Sequence, residues 1–194
     1  MTTNIIKHRL ESAQLTLLKD LVGKELRFVG AENLDAYSLA ESMVIAAYSS
    51  NVKFSCGFTN GDFEGFDDDY PLFRVTEASK FQLEKIEEIG NFNVTFSGEP
   101  ITGISLLREV TTCEVLGSPS WVLESDIGLV IHFGQGAISF INLTDYDIVC
   151  RLDYHSNFEV SSLPRTKSLQ KSDLVNTYEV SRELVPLLAE ELEA

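Results

Sequence analysis

The chain has 194 residues, 44% of them hydrophobic and 10% aromatic, enough to build a buried core and too many for a disordered chain. Its 30 acidic residues outnumber 15 Lys and Arg, a net charge of −15, which argues against nucleic acid and anionic membranes as partners, since both bind basic surfaces. No apolar run approaches eighteen residues, so no membrane-spanning helix is expected. The opening Met1-Thr2-Thr3-Asn4 lacks the apolar core and cleavage site of a secretory signal, giving a cytoplasmic expectation.

Residues 4–22 repeat Ile5, Ile6, Leu10, Ala13, Leu17, Leu18 and Leu21 at three- and four-residue steps. That spacing predicts an amphipathic helix, capped at Thr3 or Asn4 and stopped by Gly23. From Lys24 the period changes to two, and strands are expected at Met43–Tyr48 and Val52–Cys56, joined by a hairpin. Residues 57–69 read as turn-rich, followed by a strand over 70–75. Phe81, Ile86 and Ile89 line one face of a short helix over 79–89, closed by Gly90. Further strands are expected over 93–97, 104–115, 128–133, 137–143 and 148–152, with Gly134-Gln135-Gly136 as a hairpin signal. Residues 161–171 read as a connecting loop, and 173–194 as a mixed segment ending in a helix that carries Pro186 near its start.

Two stretches align at a spacing of roughly 80 residues, as repeats are recognised. Val44–Tyr48 with Val52–Phe54 matches Leu129–Phe133 with Ile138–Phe140, and Asp69–Val75 matches Asp145–Leu152. The expected fold is therefore α+β. A largely antiparallel sheet is built from two β-meander units that read as a duplication, residues 4–76 and 79–153. An N-terminal helix, a short central helix and a C-terminal helix cover it, within one domain spanning 1–194 and with 161–194 as a C-terminal extension.

Sites for chemistry are few. Cys56, Cys113 and Cys150 are odd in number and form no Cys-x-x-Cys, which reads as three buried, reduced thiols. His8, His132 and His155 have no second His or Cys at metal-binding spacing, so no metal is expected. Neither a Gly-x-Gly-x-x-Gly nor a Walker loop occurs, and no Gly-x-Ser-x-Gly elbow marks a nucleophile. No catalytic residue and no cofactor is expected. Paired acids at Glu87-Glu88 and Glu190-Glu191 read as solvated helix faces.

The charge is unevenly spread. Residues 1–34 carry 4 acidic and 5 basic residues, net +1; residues 35–99 carry 12 and 4, net −8; residues 100–160 carry 8 and 2, net −6; residues 161–194 carry 6 and 4, net −2. The densest cluster is Asp62, Glu64, Asp67, Asp68 and Asp69, interleaved with Phe63 and Phe66. A calcium loop started at Asp62 would need a closing glutamate where Phe73 stands. Carboxylates around aromatics suit a Lys/Arg-rich protein surface instead. A solvated turn is the plain alternative.

Leu21-Val22-Gly23-Lys24-Glu25-Leu26 and Ser125-Asp126-Ile127-Gly128-Leu129-Val130-Ile131 look like strand openings common in bacterial immunity proteins. With its acidity, size and lack of catalytic motifs, the chain resembles those of contact-dependent growth inhibition and other polymorphic-toxin systems. The resemblance implies a cytoplasmic, non-enzymatic inhibitor whose partner is a basic, nuclease-type toxin domain. The expected contact residues are Asp62, Glu64, Phe66, Asp67, Asp68 and Asp69, with Asp145 and Asp147 at the equivalent place in the second unit. A small-ligand-binding or enzymatic domain, favoured by a deep pocket holding His132 or Cys56, and a structural or assembly subunit remain as alternatives.

Overall fold

The computed structural model describes residues 4–63, 66–134, 136–142, 150–156 and 176–187, and at 58, 60–63, 66–71 and 176 the backbone alone. It begins with a strand rather than a helix. β1, Asn4–His8, pairs in parallel with Trp121–Ser125, and the expected helix over 4–22 shortens to α1, Ser12–Lys19. Two contacts separate strand from helix. The Leu10 N–H donates to Asp126 Oδ2 at 2.9 Å, drawing the chain across the neighbouring strand. Glu11 and Gln14 then form a reciprocal capping box that sets the first helical turn. Leu18 and Leu21, both part of the predicted stripe, are fully buried.

β2, Glu25–Ala31, leads to the two-residue β3, Leu39–Ala40, and to β4, Ser42–Ala47. A tight turn with Ser49 at φ 62° joins β4 to β5, Ser50–Phe63. β5 runs directly into a second hairpin with β6, Phe66–Glu77, paired from Val52↔Glu77 to Phe63↔Phe66. The turn-rich reading of 57–69 is thus corrected to two long paired strands. α2, Lys80–Ile89, matches the central helix and starts with a Ser79/Gln82 capping box. Its packed side differs from the expected one: Ile86 is buried against Phe28, Val44 and Ala78, with Leu83 beside it. Phe81 and Ile89 are 73% and 63% exposed.

β7, Phe92–Val115, is the spine of the molecule. Its first part pairs with β2, and from Ile101 onward it pairs with β8, Ser118–Phe133. β8 turns through Gly134 into β9, Gly136–Asn142, and β10, Cys150–His155, pairs with β9 in turn. β8 and β9 approach closely because residue 128 has no side chain: a Cβ there would lie 2.5 Å from the Phe140 carbonyl oxygen. β11, Asn176–Pro186, pairs along β7 from Val115 to Ser105. It replaces the start of the expected C-terminal helix, and Pro186 stands at the strand's end; residues 188–194 lie outside the described residues.

The sheet order is β3-β10-β9-β8-β7-β2-β4-β5-β6, with β1 added to β8 and β11 to β7. The fold is mostly antiparallel sheet with two helices among the described residues. The sheet rolls until its two ends meet. Phe73 of β6 contacts Phe140 of β9 at 6.2 Å between ring centroids. A disulfide joins Cys56 of β5 to Cys150 of β10. The bridge corrects the expectation of three reduced thiols; Cys113 is buried and lies outside it. One core cluster consequently draws Leu18 from α1, Leu26 from β2, Phe54 from β5, Leu129 from β8 and Phe140 from β9. Two meanders, β2-β4-β5-β6 and β7-β8-β9-β10, flank the β2·β7 seam. Their lead strands differ greatly, at 7 residues for β2 and 24 for β7, so the expected duplication is left without support.

Buried ion pairs fasten the spine. Arg108 donates to Asp126 at 3.0 Å across β7 and β8, and Arg182 of β11 donates to Glu109 of β7 at 2.7 Å. Each carboxylate is almost wholly removed from water, which is tolerable only with a charged partner in place.

Candidate functional site

Two places stand out, one of them foreseen. The foreseen place is the far end of the β5–β6 hairpin. Register puts Asp62 directly opposite Asp67, with Gly61 opposite Asp68, Asn60 opposite Asp69 and Phe63 opposite Phe66. Four of the predicted contact acids are thereby brought together with Phe66 at one end of one ribbon. Glu64, Asp145 and Asp147 lie outside the described residues.

The geometry of the ribbon adds what composition does not show. β4 pairs with β5 only from Ala47↔Ser50 to Ser42↔Ser55. Beyond Cys56↔Phe73 the hairpin has no third strand among the described residues. From that anchored pair to Asp62↔Asp67 is six residues, about 20 Å of strand. Between residues 60 and 70 the sequence holds five acidic side chains and no basic one.

The second place is a cavity of about 680 Å³ where β2, β7, β9 and β10 meet the loop after β2. Its inner wall is Val29, Ile138 and Leu152, continuous with the core. Phe92, Phe96 and Leu34 form its sides, and Val94 and Tyr154 are at the rim. The cavity is lined by neither His132 nor Cys56, the two residues expected of a ligand pocket. Its lining residues are scattered from position 29 to 154, on β2, β7, β9, β10 and the loop after β2, and share no motif or spacing, so sequence carried no signal for it.

The loop wall is built rather than slack. Asn91 grips Leu34 twice, accepting from its N–H and donating to its carbonyl, both at 2.7 Å. Asp35 Oδ1 accepts from the Tyr37 and Leu39 N–H groups, each at 2.8 Å. Ser38 is held at φ 64° and its carbonyl accepts from the Leu152 N–H at 2.8 Å. A non-glycine residue in the left-handed region persists where its surroundings over-determine it.

The histidines form no shared site. Burial desolvates His8 and His132 and pushes both pKa values below the ordinary histidine value. His155 Nε2 lies 2.9 Å from Ser139 Oγ, but Ser139 is only 2% exposed, which makes this a packed polar pair rather than an accessible nucleophile. Among the described residues no group of three His, Cys, Asp or Glu side chains is placed to hold a metal. No helix among them is long and apolar enough to cross a membrane.

Comparison with known proteins finds no matching family model, no matching curated protein and no matching solved structure.

Proposed function

We propose that the protein is an immunity-type inhibitor, which binds a basic, nuclease-type toxin domain through the acidic end of the β5–β6 ribbon and covers its active-site surface. One observation carries this: the register sets Asp62 opposite Asp67 on a two-stranded ribbon that has no third strand among the described residues. Two-stranded ribbons are marginal in water, and like charges directly opposite destabilise each other. The segment therefore works against its own stability. A Lys/Arg-rich surface offsets both costs, because it neutralises the carboxylates and can pack the ribbon. Net charge −15 further steers a basic partner toward the complex. Asp62, Glu64, Phe66, Asp67, Asp68 and Asp69 are the proposed contacts, joined by Asp145 and Asp147. The protein itself is no enzyme in this proposal and acts in the cytoplasm.

Co-expression with a toxin domain encoded by the adjoining gene is the test. Growth should be rescued, and the purified pair should form a 1:1 complex that weakens as salt rises. Changing Asp67, Asp68 and Asp69 together to Ser should lower affinity about tenfold or more, flatten the salt dependence and leave Tm no lower. Absence of both rescue and complex rejects the proposal. Unchanged affinity in the triple variant moves the contact away from this ribbon.

A further inference from the structure

The cavity beside β10 is independent of the ribbon, and nothing in toxin inhibition requires it. We propose that it binds one small, uncharged amphiphile, an apolar body ending in a hydroxyl or a neutral amine.

Size comes first. At about 680 Å³ the cavity falls inside the range of small-molecule sites, roughly 300–1,000 Å³. Its surface is mainly carbon, from Val29, Leu34, Phe92, Phe96, Ile138 and Leu152. Water gains little against such a wall, whereas an apolar body recovers the hydrophobic free energy, about 25 cal/mol per Å² covered. The cavity is also preformed. Asn91 and Asp35 pin the loop that closes one side, and the Ser38–Leu152 hydrogen bond ties that loop to β10. A preorganised wall leaves little ordering cost to be met on binding.

Charge then selects the ligand class. No Lys, Arg or His is among the described residues lining the cavity, while Asp153 is. Arg151 is engaged with Asp153 at 2.8 Å and lines no part of it. Among the described residues a carboxylate or phosphate head finds no cation in the cavity to meet it, in a protein of net charge −15. Ser38, Thr95, Ser97 and Tyr154 instead offer neutral hydrogen-bonding groups. An uncharged polar head at the mouth with its apolar body inward fits this distribution.

N-phenyl-1-naphthylamine, an uncharged lipophilic fluorophore, serves as the probe against the full chain. Saturable binding with a 1:1 end point and blue-shifted emission is expected, with displacement by 1-decanol about tenfold or more stronger than by decanoate. Val94→Trp sets a large ring at the rim, where Val94 is 38% exposed, and should abolish binding while Tm holds. Leu116→Trp, at an exposed position off the cavity, should bind like the parent. No saturable binding, equal binding by Val94→Trp, or preference for decanoate would each overturn the proposal. Should Val94→Trp fail to fold, methyl NMR of the parent chain with 1-decanol decides. Shifts at Val29, Ile138 and Leu152 support the site, and their absence refutes it.

Discussion

Asp126 shows how much a single buried residue can hold together. One carboxylate oxygen accepts from the Leu10 N–H, where β1 gives way to α1, and the other accepts from Arg108 on β7. Three segments distant in sequence thus converge on one side chain that is 2% exposed as a residue. Removing it strands a guanidinium that is itself only 15% exposed, as well as a backbone donor. Asp126→Ala is therefore expected to cost about 3–5 kcal/mol of folding stability, read as a lower denaturation midpoint at unchanged slope. Asp126→Asn keeps an acceptor and the side-chain shape, and should cost less. A loss below about 1 kcal/mol for Asp126→Ala would mean that water replaces both partners, since ion pairs open to solvent are worth no more than that.

Strands and helices were legible to unequal degrees, and the failures share a cause. β9 follows from the apolar run after the Gly134-Gln135-Gly136 hairpin signal, and the central helix from its helical spacing with Gly90 as a stop. The N-terminal strand does not, because Ile5 and Ile6 satisfy a helical stripe as well as a strand; only pairing with β8 chooses between them. In β11 the signal was present. Tyr178, Val180, Arg182 and Leu184 are half-buried while Thr177, Glu179, Ser181 and Glu183 are exposed, an alternation masked by the Leu- and Glu-rich residues that follow. The acidic cluster could be read as charge, but Gly57, Asn60, Gly61 and Gly65 read as turns and hid the ribbon. Its register yields a prediction at this scale. Asp67→Lys turns the Asp62↔Asp67 pair from repulsive to attractive, a gain of up to about 1 kcal/mol local to the ribbon. Hydrogen exchange of amides between Asn60 and Asp69 should slow, with little change in global Tm, while affinity for a basic partner falls. Tighter partner binding by the same variant would exclude an acidic contact at this position.

The whole molecule depends on how the ends of the rolled sheet are held. Backbone pairing runs unbroken from β10 to β6 through the spine, yet β5 and β10 stand six places apart in that order. Side-chain packing of Phe73 on Phe140 and the Cys56–Cys150 bridge tie the two ends together. None of this could be read from spacing, because 94 residues separate the two cysteines and each sits singly in its strand. Closure also sets the base of the acidic ribbon, since Cys56 lies at the last register before it stands alone. Cross-linking across so long a loop limits the unfolded chain strongly, and removal of such a bridge costs about 2–5 kcal/mol. The oxidised protein should therefore lose Tm when a reductant is added, by roughly 2–4 °C per kcal/mol for a chain of this size. A Cys56→Ser, Cys150→Ala double variant should melt low and ignore reductant. Equal melting with and without reductant in the parent would show that the bridge contributes nothing to closure. The same cysteines also test the cytoplasmic proposal, because disulfides persist mainly in oxidising compartments. Alkylation of denatured protein taken directly from cells should label all three cysteines if it works in a reducing cytoplasm, and Cys113 alone if the bridge is closed where the protein acts.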